Sequence, residues 1–125
     1  GGSDMHDSMK LITSPDYPGS RPTPPSNTTL GVVATSARLN KAQANKLASV
    51  AHDGLAIAVR PAHLMGDGDT FFALATGTQD QPPEMNRVLA ASVLCVSRAI
   101  VRGVRKARGI GGVPSLAELN PDDTA

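Results

Sequence analysis

Two segments of this 125-residue chain read as β-strands, and a helical stretch lies between them. Thr28-Thr29-Leu30-Gly31-Val32-Val33-Ala34-Thr35 is a short run of β-branched and apolar residues bounded by Pro25 and Ser36. Asp69 to Gly77 is a second such run, closed by Gly77. In the first helix Asn40 is a cap with Gln43 three residues on, an approximation to the capping box. Leu47, Val50, Ala51, Leu55 and Ala58 then recur at helical spacing until Pro61 ends the helix. A longer helix is expected from Glu84 to about Lys106, apolar at Val88, Leu89, Val93, Val96, Ile100 and Val104. Strand, helix, strand, helix is the order of a layered α/β arrangement, in which strands joined through a helix usually run parallel. Two strands alone do not make a stable sheet in water. The pattern therefore predicts a unit completed by strands from a second copy or from a larger body. The chain has no repeat at a solenoid period.

The ends read differently. Five prolines (Pro15, Pro18, Pro22, Pro24, Pro25) fall in the first 27 residues beside Gly1, Gly2 and Gly19, a linker composition. The chain opens Gly1-Gly2-Ser3-Asp4 rather than with Met, as expected of a processed product or a fragment of a longer reading frame. That opening has neither the basic stretch nor the apolar run of a secretory signal. Beyond Gly109 the sequence is again rich in Gly, Pro and Asp, the composition of a mobile end. The expected organisation is a linker over 1–27, an α/β unit over 28–108 and a flexible tail over 109–125.

Aromatic content of 2% makes the core aliphatic and argues against modules that stack bases on exposed rings. A formal net charge of +1 argues further against a polyanion binder, so no nucleic-acid partner is expected. No apolar run reaches the roughly 18 residues that span a membrane. A single cysteine, Cys95, excludes an internal disulfide and fits a reducing compartment, hence a cytoplasmic expectation. It lies among Val93, Leu94 and Val96 and reads as a buried, inert thiol. His6, His52 and His63 share no metal-ligand spacing, so no metal or cofactor is expected, and His52 reads as structural. Arg98, Arg102 and Arg105 form a basic stripe near a helix C-terminus, explained by the helix dipole.

Two places could carry chemistry. At Asn27-Thr28-Thr29 a Pro-rich segment runs directly into a strand that starts with a hydroxyl residue. Cleavage before Thr28 would put a hydroxyl and a new α-amino group on one residue. With an unperturbed pKa of about 7.7–8, that amine can accept the hydroxyl proton near neutrality. Thr28 and Thr29 also fit as ordinary strand formers. At Gly66-Asp67-Gly68-Asp69-Thr70, two carboxylates stand at the mouth of the second strand. They could share a proton or orient a neighbouring ammonium and hydroxyl, and the segment equally fits a turn. The later acidic ligand of a calcium loop is missing.

Several blocks, taken in order, resemble one family. Asn27 to Thr35, Leu39-Asn40-Lys41-Ala42-Gln43-Ala44, Ala51-His52-Asp53-Gly54-Leu55-Ala56, Arg60-Pro61-Ala62-His63 and Asp67 to Gly77 are similar to the self-cleaving P1 peptidases. These include D-aminopeptidase/L-amidases, β-peptidyl aminopeptidases and nylon-oligomer hydrolases. The similarity spans roughly 27 to 107, the family's small C-terminal β subunit. It implies a fragment of an α/β/β/α N-terminal-nucleophile sandwich and autocleavage of the Asn27–Thr28 bond. It also implies Thr28 as the nucleophile of an amide hydrolase working through an acyl-enzyme, with Asp67 and Asp69 matching the two-Asp pattern of the nylon-oligomer branch. The implied partners are the α subunit of the same precursor, which carries the oxyanion-binding Asn, a small peptide or amide substrate, and further αβ units in a homo-oligomer. The alternatives are a noncatalytic α/β assembly module and an acyltransferase of the ornithine acetyltransferase type.

Overall fold

The structure, a computed structural model, describes residues 7–19 and 28–119. Within them the order is α1 (Ser8–Ile12), β1 (Leu30–Thr35), α2 (Lys41–Ala58), β2 (Thr70–Ala75), α3 (Met85–Lys106) and α4 (Leu116–Leu119). The strand-helix-strand-helix body is an α/β unit, consistent with a fragment of an α/β sandwich. The two short helices flank it, inside segments whose composition suggested a linker and a tail. Asp7 starts α1 by accepting from the N–H groups of Met9 and Lys10 at 3.0 and 3.4 Å. Ser115 and Glu118 start α4 reciprocally: Ser115 N–H donates to the Glu118 carboxylate at 2.6 Å, and Glu118 N–H donates to the Ser115 hydroxyl at 3.3 Å.

The two central helices begin where the sequence places them. Asn40 and Gln43 form a full capping box, each side chain accepting the other's backbone N–H at 2.9 Å. Glu84 caps α3, its two oxygens accepting from Asn86 and Arg87. β1 and β2 pair in parallel in the register Leu30↔Thr70 through Thr35↔Ala75. Val59 leaves α2 in an extended conformation, and the Arg60–Pro61 peptide bond is cis.

Core formation follows from the apolar stripe of α2. Leu47, Ala51 and Leu55 are fully buried, and Ala51 and Leu55 meet Phe71 of β2 and Val96 of α3, with Val33, Ala62 and Ile100 packed around them. Burying a leucine contributes about 1.5–3 kcal/mol, so these few residues carry much of the tertiary stability. α2 and α3 approach closely at Gly54. A Cβ there would stand 2.6 Å from the Val93 carbonyl oxygen and 2.7 Å from the Val96 Cβ, so glycine is required by space rather than by backbone conformation.

Three features depart from the sequence pattern. The apolar runs suggested buried strands, yet Leu30, Val32, Phe72 and Leu74 are exposed, because the helices cover one face only. On α3, Ser92 is buried rather than Leu89 or Val93, and its hydroxyl donates to the Leu89 carbonyl at 2.6 Å. Cys95, expected to be buried, is exposed. Its position on α3 faces the open groove beside β1 instead of the α2 contact.

Candidate active site

Parallel pairing decides what sits beside what at the strand mouths. Because Leu30 is opposite Thr70, the residues just before each strand run side by side, and the Thr70 N–H donates to the Thr29 carbonyl at 2.9 Å. Asp69 answers across the same gap: its carboxylate accepts the Thr29 N–H at 2.9 Å. Gly68 faces Thr28, and a Cβ on Gly68 would lie 2.7 Å from the Thr28 hydroxyl oxygen. Glycine at 68, between the two aspartates, is what lets the Thr28 side chain approach this loop.

Thr28, Thr29, Asp67 and Asp69 line one cleft of about 380 Å³, with Val59, Pro61 and Ala62 as its apolar wall. The three side chains proposed from sequence thus share one concavity, built from residues 40 positions apart by the strand register. Their roles within it differ. Asp67 turns its carboxylate into its own loop, accepting the Leu64 N–H at 2.7 Å, while its N–H donates to the Leu64 carbonyl at 2.9 Å. Asp69 reaches across to the first strand. Asn27 lies outside the described residues, so the bond expected to be cut is seen from its Thr28 side alone.

The Thr29 backbone N–H holds the Asp69 carboxyl below the usual carboxylate range; partial burial opposes this, and the Thr29 hydroxyl and the field of His63 add to the lowering. A depressed folded-state value means a stabilising contact that is complete above the ordinary Asp value of about 3.9 and is lost only as pH falls through the lowered one. Asp69 is therefore ionised throughout the neutral and mildly acidic range. One contact in the loop after α2 was not foreseen from sequence: His63 pairs with His52 of α2 at 3.1 Å between ring nitrogens. Eleven residues separate the two histidines, and only the turn after α2 brings them together.

Two larger grooves lie elsewhere. One of about 420 Å³ runs between β1 and α3, past Arg87 and Cys95. Another, of about 620 Å³, lies between the C-terminal parts of α2 and α3 and collects Arg98, Arg102 and Arg105 with Lys106. Neither is lined by an Asp or Glu, whereas the smaller cleft sets threonine hydroxyls beside two aspartates. Among the described residues no three His, Cys, Asp or Glu side chains converge as metal ligands. No helix among them is long and apolar enough to cross a membrane.

The profile of peptidase family S58 matches residues 3–116. An uncharacterized aminopeptidase of Mycobacterium bovis is 42% identical over 110 residues, covering 78% of this chain and 32% of that protein. An uncharacterized aminopeptidase of Mycobacterium tuberculosis matches with the same figures, 42% over 110 residues. One of Mycobacterium leprae is 43% identical over 108 residues, covering 76% of this chain and 30% of its own length. The chain thus spans about a third of the length of these relatives. Since the match takes in nearly all of its residues, cleft included, the chain belongs to peptidase family S58, the P1 family its sequence blocks resemble.

Proposed function

We propose that this chain is the β-subunit region of an amide hydrolase of the N-terminal-nucleophile kind, with Thr28 as nucleophile. The observation that carries this reading is the cleft in which the Thr28 hydroxyl, Asp67 and Asp69 meet beside a glycine that admits them. In the maturation step the Thr28 hydroxyl oxygen attacks the Asn27 carbonyl carbon, the Asn27–Thr28 C–N bond breaks, and the nitrogen takes a proton to become the α-amine. Water then hydrolyses the resulting ester, freeing the Thr28 hydroxyl. In turnover the α-amine takes the hydroxyl proton as the oxygen attacks a substrate amide, and passes it to the leaving amine. Water cleaves the acyl ester to complete the cycle.

Asp69 keeps the first strand in place through the Thr29 N–H, one residue from the nucleophile, and its negative charge favours a protonated Thr28 amine nearby. Asp67 shapes the loop that carries Gly68 and Asp69. The aminopeptidase names of the mycobacterial relatives support a small peptide or amide substrate with a free amino end. The bare apolar face of the sheet supports an α partner from the same precursor, which would complete the sandwich and supply the oxyanion donors, in a homo-oligomer of αβ units.

The test is made on the full-length precursor. Mass spectrometry of the wild type is expected to find a fragment beginning at Thr28, and Thr28→Ala is expected to leave the chain uncut and without amidase activity. Cleavage at that bond or amide hydrolysis persisting in Thr28→Ala would overturn the assignment.

A further inference from the structure

We propose that His52 and His63 form a two-histidine site for a divalent late transition cation, with Zn²⁺ as the ion it fits. The site stands apart from the Thr28 assignment and does not depend on it.

Spacing carries the proposal. The Nδ1 of His52 lies 3.1 Å from the Nε2 of His63, and the rings, centroids 5.1 Å apart, are tilted by 54° rather than stacked. Zn–N bonds of about 2.0–2.1 Å, meeting at angles between square and tetrahedral, set two imidazole nitrogens about 2.9–3.4 Å apart. The pair therefore already stands at chelating distance. Solvent ions can reach it, since His63 is exposed and His52 half-buried. No third His, Cys, Asp or Glu converges with the two among the described residues, so water completes the coordination.

Both rings are held in place by the fold. His52, on α2, rests against Phe71 of the buried core, ring centroids 4.8 Å apart. His63 has a left-handed backbone, φ 61°, the one non-glycine residue among those described in that region. Such a conformation costs energy and persists where the surroundings enforce it. Donors fixed in advance lose little freedom on binding.

The donor type decides the class of ion. Imidazole nitrogen suits Zn²⁺ and its late transition neighbours, whereas Mg²⁺ and Ca²⁺ take oxygen ligands. Without the ion, one ring donates the N–H that joins the pair and the other accepts it. Coordination uses the lone pairs of both nitrogens, so the donor ring moves its proton to its far nitrogen and the number of protons is unchanged. His63 precedes Leu64, whose N–H donates to the Asp67 carboxylate at 2.7 Å and whose carbonyl accepts the Asp67 N–H at 2.9 Å. A cation bridging the rings thereby ties the Asp67 loop to α2.

The experiment is calorimetric titration of Zn²⁺ into the full-length protein without a histidine tag, with Mg²⁺ as the control ion. One Zn²⁺ per chain is expected to bind, and Mg²⁺ is not. His63→Asn removes the ring and keeps a residue that tolerates the left-handed backbone. His52→Gln removes the other ring and keeps a side chain of similar reach. Each variant is expected to weaken Zn²⁺ binding about tenfold or more. Hydrogen exchange gives a second readout: the Leu64 and Asp67 amides are expected to exchange more slowly with Zn²⁺ in the wild type and at an unchanged rate in His63→Asn. No Zn²⁺ binding by the wild type, or equal affinity in the wild type and both variants, overturns the site. So does half-stoichiometric binding with dimerisation, which would put the ion between two copies. Zn²⁺ binding that leaves both amides exchanging as before overturns the tie to the Asp67 loop.

Discussion

The sheet has two faces of nearly the same composition and opposite surroundings. Toward the helices stand Val33, Phe71, Ala73 and Ala75, buried or half-buried. Toward the other side stand Leu30, Val32, Phe72 and Leu74, from 56% to 72% exposed. Phe71 and Phe72 are adjacent in sequence, yet one is 8% exposed and the other 56%. Strands that are apolar on both faces belong in sheets covered on both sides, and α2 and α3 cover one. A contiguous bare apolar face marks an interaction surface. The difference teaches that the strands encode two-sided burial while the helices of this chain supply cover for one side. A chain spanning about a third of its relatives' length is consistent with a proposed partner that supplies the other.

Substitutions on the covered face test the comparison most severely. Phe71→Ala is expected to cost about 3–5 kcal/mol, as for other buried aromatics cut back to alanine. Chemical denaturation of the 125-residue chain measures it; a loss under about 1 kcal/mol would mean that the helix-covered face is not the core. The next effect is at the α2–α3 contact. Gly54→Ala gains about 1 kcal/mol of helix propensity. It also drives a methyl onto the Val93 carbonyl, and overpacking costs about 1–3 kcal/mol. Because backbone cannot yield as a side-chain end can, the net expectation is a loss of about 1–2 kcal/mol. A stabilised Gly54→Ala chain would show that the helices sit further apart.

How much of this was legible in the sequence depended on distance along the chain. Asn40 with Gln43 announced the start of α2, because a cap and its partner lie within one helical turn. Ser115-Leu116-Ala117-Glu118 carries the same signal, a capping box overlooked inside a segment read as a mobile end. Thr28 and Asp69 stood out in the sequence as a hydroxyl residue at one strand start and a carboxylate at the mouth of the other, and family likeness added their roles, but that Asp69 takes the Thr29 N–H while Asp67 takes that of Leu64 depends on the strand register and a tight turn. Its apolar neighbours Val93, Leu94 and Val96 suggested a buried Cys95, and the groove beside β1 leaves it open, since adjacent residues of a helix point to different sides. His52 read as structural, and its ring lies 4.8 Å from that of the core residue Phe71. Its pairing with His63 depends on the path of the loop after α2, which the spacing of eleven residues does not fix.

A smaller effect is expected at the cap of α2, which carries the covered face. Asn40→Ala removes the acceptor of the Gln43 N–H and leaves the Gln43 side chain without its reciprocal partner, a loss of about 1 kcal/mol. Asn40→Ser, which retains a capping oxygen, is expected to recover most of it. Denaturation midpoints of the two variants check this, and equal losses would mean that the side-chain oxygen is not what starts the helix.

The smallest effect belongs to the open face and breaks the comparison most cleanly. Phe72→Ser in this chain removes a ring that is 56% exposed, so little burial is lost and the change in stability is expected to stay within about 0.5 kcal/mol. The same substitution in the full-length protein meets a different environment if a second layer covers this face. Full burial of a phenylalanine contributes about 1.5–3 kcal/mol, so the loss there is expected to rise by that order. The contrast lies between one substitution in two contexts, which cancels the strand propensity and the chemistry of serine common to both. Binding of an apolar dye gives a second reading: strong on the 125-residue chain, weaker on its Phe72→Ser variant and weak on the full-length protein. Equal small losses in both contexts would place the missing cover somewhere other than over Leu30, Val32, Phe72 and Leu74, and the two faces would then differ by exposure alone rather than by what each is built to meet.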